Sequence, residues 1–193
     1  MRDRLFFALA ALLAALFVLV ALNPFAERLP TGPVRAGGRD VMNVEVAGME
    51  LHRFDSGGAS GLEFLAPEGD EPARVRITRK ASEETQDPRL GAHLVLDADL
   101  EFAYQTRTIR IEIDARSAGD FPASQFEADY FAKAEGESGW QKFNLTPAFA
   151  TYSFTFKIPS RGETMGYDYL GIRPVAPDKQ RTMEVRAVRF IGQ

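Results

Sequence analysis

The sequence predicts an all-β body, built as a sandwich or a barrel of short strands, behind a single apolar helix at the N-terminus. Residues 5–22 carry no charged side chain and no hydroxyl. From residue 41 onward every clear hydrophobic period is two, as in strands whose alternate side chains face a core. Glycine, proline and polar residues separate these runs, and no second helical pattern appears among them. Many short strands at this spacing favour an antiparallel all-β architecture.

Composition limits the size and the function of the chain. Its 193 residues, 45% hydrophobic and 26% charged, suit one ordinary domain. The net charge of −4 provides no basic surface for non-specific nucleic-acid binding, so nucleic acid is excluded as a partner. The absence of cysteine excludes disulfides, thiolate nucleophiles and cysteine-ligated zinc.

The apolar stretch at residues 5–22 has the length of a membrane span. As a helix it measures about 27 Å, close to the roughly 30 Å of a bilayer core. A cleaved signal peptide has a shorter apolar region, about 7–15 residues, followed by a small-residue cleavage site. The residues that follow, Asn23-Pro24-Phe25-Ala26, match such a site poorly. We therefore expect residues 1–22 to form a single-pass transmembrane signal-anchor in the inner (cytoplasmic) membrane.

The flanking charges bear on orientation. Arg2 and Arg4 precede the helix, while Arg28, Arg35 and Arg39 follow it, so the positive-inside count is nearly balanced. A short basic tail before an apolar run is typical of signal-anchors. We expect the C-terminal domain to be periplasmic or extracellular.

Residues 23–40 read as a linker. Prolines and glycines interrupt the stretch repeatedly, and no apolar period survives them. Fully extended, such a segment reaches some 55 Å. The folded domain is predicted to span residues 41–193.

Alternating runs predict the individual strands. They lie at residues 41–46, 49–54, 62–64, 74–78, 93–96, 108–115, 126–130, 152–158, 169–175 and 183–190. In the eighth run four large side chains share one face: Tyr152, Phe154, Phe156 and Ile158. Residues 80–90 form a polar loop that can hold one helical turn. In the last run the apolar set switches from odd to even positions near Arg186 and Ala187, which indicates a β-bulge.

The order of these segments resembles a known architecture. The succession is TIRIEIDARSAG, FEADYFAKAEGESGW, TYSFTFKIPS, GYDYLGIRPVA and TMEVRAVRFIG. It looks like the jelly-roll β-sandwich of galactose-binding-like domains and carbohydrate-binding modules, over about residues 90–192. The resemblance implies a non-catalytic module that binds sugar on a concave face or a loop edge, often with a structural calcium and with no other cofactor. These are core-patterning motifs, so they bear on architecture more than on activity.

The outward strand faces supply the candidate ligand-binding residues. Sugar recognition needs aromatic rings for the apolar pyranose faces and polar groups to fix the hydroxyls. Strand parity turns residues of both kinds outward. The candidates are Arg110, Glu112, Asp129, Phe131, Trp140, Tyr169 and Arg173, with Tyr104 as a further aromatic. The competing interpretation of each is an ordinary solvated sheet face with cross-strand charge pairs.

No catalytic signature is present, and we expect the chain not to be an enzyme. The pairs Glu112/Asp114 and Glu127/Asp129 lie roughly 6.6 Å apart along a strand, a separation that overlaps the spacing of glycosidase carboxylates. Two carboxylates side by side on one strand do not flank a scissile bond from opposite sides. No nucleophile elbow, phosphate-binding loop, dinucleotide fingerprint or zinc-protease motif occurs in the sequence.

Two functions from different classes fit these observations. In the first, the domain is a membrane-anchored module that binds a glycan outside the inner membrane. In the second, it is a structural accessory subunit that docks on a membrane-protein complex through the helix and the sandwich. The sequence favours a binding or interaction role and leaves the ligand and the partner open.

Overall fold

The N-terminal helix precedes the folded body. The structure is a computed structural model that describes residues 2–22, 29–58, 60–83, 87–132, 136–160 and 166–193. Helix α1 spans Arg2–Leu22 and contains the predicted anchor, with side chains described at positions 6, 7 and 10–18. Among the described residues, no helix has both the length and the apolar character of a membrane span. The anchor stays a prediction from the sequence, and residues 23–28 of the predicted linker lie outside the described part.

Within the described ranges, ten strands form two antiparallel sheets that share one core. The strands are β1 (Asn43–Ala47), β2 (Gly61–Leu65), β3 (Arg74–Arg79), β4 (His93–Leu96), β5 (Thr108–Ser117), β6 (Gln125–Phe131), β7 (Gln141–Asn144), β8 (Ala150–Lys157), β9 (Asp168–Pro174) and β10 (Arg181–Gly192). The six-stranded sheet has the order β2-β3-β10-β5-β8, with β1 also paired to β10. The four-stranded sheet has the order β4-β9-β6-β7. The predicted all-β sandwich is confirmed.

The core follows the alternation seen in the sequence. Ile109, Ile111 and Ile113 of β5 are fully buried, and so are Phe126 and Tyr130 of β6 in the opposite sheet. The aromatic side of β8 packs against this core, while Ser153, Thr155 and Lys157 are exposed. Burial of a large apolar side chain contributes about 1.5–3 kcal/mol, so these two facing sets stabilise the sandwich.

The predicted bulge in β10 is present. The pairing of β10 with β5 shifts between Val185, which faces Ala115, and Ala187, which faces Asp114. Arg186 is the extra residue. Its Nε donates a hydrogen bond to Asp114 Oδ2 at 2.7 Å, on the outer face of the sheet. The bulge lets Val185 and Val188 both point into the core.

Two predicted features are corrected by the structure. The run at residues 49–54 is a 3-10 helix, Gly48–Arg53, rather than a strand, because Gly48 takes a φ of +59° that breaks the extended chain. A second helix is present, α2, over Ala98–Tyr104, where the Asp97 side chain caps the first turn. The sequence does not predict α2, because a helix of seven residues is too short to show a clear helical period between segments that alternate as strands.

The end of the predicted linker belongs to the folded body. Val34 is 1% exposed, and its N–H donates to the carbonyl of Val95 at 2.7 Å. Ala36 is 4% exposed, and its N–H donates to the Asp99 side chain at 3.0 Å. Arg53 Nη1 donates to the carbonyl of Pro33 at 2.8 Å. The packed chain therefore begins before residue 41, because two apolar side chains hidden among prolines and glycines reach the core.

Candidate functional site

The outer face of the four-stranded sheet gathers most of the predicted site residues. The register of β6 with β9 places Glu127 beside Arg173 and Phe131 beside Tyr169. The register of β6 with β7 places Lys142 opposite Glu127. Paired residues of neighbouring strands project on the same side of a sheet, so these side chains share one surface.

Trp140 and Arg173 stack at one end of this surface. The guanidinium carbon of Arg173 lies 3.6 Å from the centroid of the Trp140 ring. Arg173 Nε and Nη2 both donate to Glu127 Oε2, at 3.0 and 2.8 Å. Lys142 Nζ lies 3.3 Å from Glu127 Oε1. The carboxylate thereby holds the planar guanidinium against the ring in one orientation.

These side chains line a cavity of about 360 Å³. Its wall includes Arg79, Glu127, Trp140, Lys142 and Arg173, and the segment that follows β9 closes another side. The cavity is of the size that small-ligand sites have, and it offers one aromatic ring among several charged hydrogen-bonding groups.

Glu127 is kept ionised by its neighbours. Burial alone raises the pKa of this carboxyl group, but the hydrogen bonds and charges of Arg173 and Lys142 outweigh it, so the pKa lies below its ordinary value. An ionised carboxylate accepts hydrogen bonds from a ligand and does not donate a proton to it.

Asp129 lies on the same strand but is closed off from solvent. It is 1% exposed, and its Oδ1 accepts a hydrogen bond from Ser138 Oγ at 3.0 Å. Its Oδ2 has no hydrogen-bond partner within the part of the chain that the structure describes. Burial raises the pKa of Asp129 above its ordinary value. Asp129 supports the surface from beneath and does not line the cavity.

Phe131 and Tyr169 form the other end of the surface. The guanidinium carbon of Arg89 lies 5.8 Å from the Phe131 ring centroid and 6.0 Å from that of Tyr169. Gly171 separates this end from Trp140. A Cβ at Gly171 would lie 2.5 Å from Pro88 Cβ and 3.1 Å from Trp140 Cη2, so glycine permits close packing over the centre of the sheet.

Three of the predicted aromatic or polar candidates lie elsewhere. Arg110 and Glu112 are on β5, on the outer face of the six-stranded sheet, where Arg110 Nη2 is 3.2 Å from Glu112 Oε1. They do not meet the other candidates, because the core separates the two outer faces. Tyr104 of α2 is fully buried, and burial raises the pKa of its hydroxyl. It contributes to the core and not to a surface site.

The structure also adds residues that the candidate set did not contain. Glu127 and Lys142 carry opposite charges on paired strands. A cross-strand charge pair of this kind can be recognised in the sequence only when the strand pairing is known. Arg79 follows the predicted end of β3, and Arg89 lies in a short 3-10 helix, Pro88–Leu90, so strand parity says nothing about either. Among the described residues, no group of three or more metal-ligating side chains is placed to hold a metal ion.

Comparison with known proteins bears on the fold. No protein-family model matches the chain, and no curated protein matches it. The CBM22-2 xylan-binding domain from Paenibacillus barcinonensis Xyn10C superposes with a TM-score of 0.51 at 8% identity, covering 72% of this chain and 91% of that one. The CBM22-1–GH10 modules of Clostridium thermocellum xylanase 10B, complexed with xylohexaose, superpose with a TM-score of 0.50 at 10% identity, covering 79% of this chain and 26% of that one. The chain therefore has a β-sandwich like that of carbohydrate-binding modules.

Proposed function

We propose that this chain is a carbohydrate-binding module without catalytic activity, which holds a glycan in the cavity beside Trp140. The observation that carries the proposal is the stack of Trp140 on Arg173, fixed by Glu127 in the wall of a cavity of about 360 Å³. The similar fold of a domain named for binding xylan supports the same class of ligand.

The chemistry of the cavity suits a sugar. The part of the Trp140 ring that Arg173 does not cover would provide an apolar surface for the C–H groups of a pyranose, while Lys142 and Arg173 can donate to its hydroxyls and Glu127 can accept from them. The ion pairs hold these groups before a ligand arrives. Less side-chain freedom is then lost on binding, which favours affinity.

The two carboxylates near the cavity, Asp129 and Glu127, do not meet the requirements of glycoside hydrolysis. A glycosidase needs a protonated acid and a second carboxylate that both reach the glycosidic oxygen or the anomeric carbon. The pKa of Asp129 is raised as an acid requires, but its side chain is buried under Ser138. Glu127 reaches the cavity, but its pKa is lowered by Arg173 and Lys142. The pair therefore fits recognition better than proton transfer.

The location of the module is proposed from the sequence. The apolar stretch at residues 5–22 would anchor it in the inner membrane and display the sandwich outside. The alternative role, an accessory subunit of a membrane complex, predicts stoichiometric protein partners rather than a glycan. Detergent purification from the native membrane separates the two, since only the alternative requires partners that co-elute.

Binding can be measured through the single tryptophan of the chain. We expect the fluorescence of Trp140 to change saturably on titration of the full chain with xylohexaose, or with the oligosaccharides that bind on a glycan array. Isothermal titration calorimetry on Trp140→Ala is expected to show affinity weakened by about tenfold or more, as for truncation of an aromatic anchor.

Phe102→Ala is the matched control. Phe102 is 77% exposed on α2 and does not line the cavity, so its removal should leave the affinity unchanged. Absence of saturable binding to any arrayed glycan would overturn the proposal. Equal affinity of Trp140→Ala and the unaltered chain would show that the glycan does not bind in this cavity.

A further inference from the structure

A second cavity opens on the outer face of the six-stranded sheet. Its volume is about 300 Å³, and its wall includes Arg76, Thr78, Asp120, Phe121, Gln180 and Thr182. Arg76 and Thr78 project outward from β3 because Val75 and Ile77 between them face the core. The cavity is thus on the opposite sheet from Trp140.

The loop that forms one wall is tied to the sheet. Thr182 donates its N–H to the carbonyl of Phe121 at 2.8 Å, and Ala123 donates to the carbonyl of Thr182 at 2.9 Å. Gly119 has a φ of +75°, and a Cβ there would lie 3.2 Å from Thr182 Cγ2. The glycine therefore allows the loop to pack closely on β10. Because the loop is already held in place, little conformational freedom of this wall would be lost when a ligand binds.

Arg76 is oriented by two carboxylates and keeps donors for a ligand. Its Nε and Nη2 donate to Glu184 Oε1 at 3.1 and 2.8 Å, and its Nη1 donates to Glu63 Oε2 at 3.0 Å. A guanidinium has five N–H groups, so among the described residues these three bonds leave two N–H groups without a protein acceptor. Arg76 belongs to an ion-pair network in which three arginines, Arg74, Arg76 and Arg116, are matched by Glu63, Glu71 and Glu184, and this balance of charge favours a neutral ligand over an anionic one.

The other groups complete a surface for sugar hydroxyls and a pyranose ring. The Oγ1 atoms of Thr78 and Thr182 lie 3.2 Å apart, and only one of them donates to the other, so one hydroxyl proton is left for a ligand oxygen. Phe121 is 49% exposed and supplies the apolar ring. Asp120 and Gln180 are exposed at the rim.

We propose that this cavity is a second glycan-binding site, which takes a further stretch of a neutral polysaccharide. The choice of ligand class rests on the proposed function; the site itself rests on the geometry above. Thr78 lines this cavity and Arg79 lines the first, and consecutive Cα atoms are about 3.8 Å apart. Ala176 and Pro177 line the first cavity, while Gln180 lines the second. One edge of the sandwich thus borders both, and a chain of several sugars can engage the two together.

Nuclear magnetic resonance titration of the full chain tests the two sites separately. With xylohexaose and cellohexaose as probes, we expect saturable shifts of the Trp140 indole and of the backbone amides of residues 119–121. Phe121→Ala should remove the response at residues 119–121 and weaken hexasaccharide binding by about tenfold. The Trp140 indole should still respond in that variant, and Phe102→Ala should change neither response.

The possible outcomes distinguish the two proposals. A response at Trp140 without one at residues 119–121 would overturn the second site and leave the first. A response at residues 119–121 without one at Trp140 would support the second site and overturn the first. No response at either position would overturn both for neutral glycans. An unchanged affinity of Phe121→Ala would also reject the second site.

Discussion

At the scale of single residues, Glu184 shows how the outer face of the six-stranded sheet is held together. Its side chain is 2% exposed and forms ion pairs with Arg74, Arg76 and Arg116, at 3.2, 2.8 and 2.8 Å. A buried charge without partners costs several kcal/mol, so the glutamate depends on these arginines. The arginines are more exposed and depend less on the glutamate.

This arrangement predicts how stability changes with pH. Burial raises the pKa of Glu184, but hydrogen bonds from Arg116 and Arg76 outweigh it, so the folded-state pKa lies below the ordinary 4.5. The folded state then binds fewer protons than the unfolded state. The contribution of Glu184 is fully present above about pH 4.5 and is lost as the pH falls through the lowered folded-state pKa.

Glu184→Gln should lower the free energy of unfolding by about 1–3 kcal/mol at pH 7, because the arginines lose a charged acceptor in a partly buried place. The deficit should shrink as the pH falls toward 3, where the native glutamate is itself becoming protonated. Urea unfolding at both pH values measures it. Glu68→Gln, at an exposed glutamate, is the control with little expected change. A deficit that stays equal at the two pH values would contradict the electrostatic origin.

At the scale of elements, β10 is the strand in which one inserted residue interrupts the alternation of apolar side chains. Arg186 is inserted between Val185 and Ala187, and without it the apolar residues would alternate without interruption. The insertion brings Arg186 over the Phe149 ring, at 4.6 Å from its centroid, and onto Asp114. The inserted Arg186 therefore contributes to the outer face, and the core would be filled without this residue.

Deletion of Arg186 should consequently leave a folded protein. We expect a loss of about 1–3 kcal/mol in the free energy of unfolding, because Asp114, at 7% side-chain exposure, loses its hydrogen-bond donor. Thermal unfolding followed by circular dichroism measures the change.

Deletion of Thr155, also an outward residue of a strand, is the matched comparison. The pairing of β8 with β5 has no shift to absorb the loss, so Phe156 would turn to the outer face. This variant should lose cooperative unfolding. Equal behaviour of the two deletions would contradict the assignment of Arg186 as the extra residue.

At the scale of the whole molecule, the body includes a segment whose composition resembles a linker. Val34 and Ala36 reach the core from a stretch rich in proline and glycine. They bring the N-terminal chain to β4 and to the start of α2. The sandwich is thus closed at this end by residues that precede its first strand.

A truncation series tests this boundary. A chain that begins at Leu29 should keep the stability of the body, whereas one that begins at Val41 should lose about 2–4 kcal/mol, since Val34 no longer fills its place in the core. Urea unfolding at pH 7 compares the two. Equal midpoints would show that the packing of residues 29–40 contributes nothing to stability.

The candidate site was predictable only in part. Parity correctly turned Arg173 outward on β9, because the period of a strand is a local property. Its stack on Trp140 joins residues far apart in the chain, and the closure of Asp129 under Ser138 depends on a loop. Neither follows from alternation. The same limit explains why strand parity alone does not separate Arg110 and Glu112 from the candidates on the opposite sheet.

The sequence by itself determined which side chains face the core in the strands that alternate clearly, where β10 bulges and that the body is a two-layered all-β fold; β7 (Gln141–Asn144) has no predicted counterpart. These follow from side-chain alternation, which acts between near neighbours. The tertiary structure alone decided which outward faces lie together, which loops cover them and that Val34 belongs to the core. Those features depend on strand pairing and on contacts between residues far apart in the chain, and the alternation of side chains within one strand does not predict such contacts.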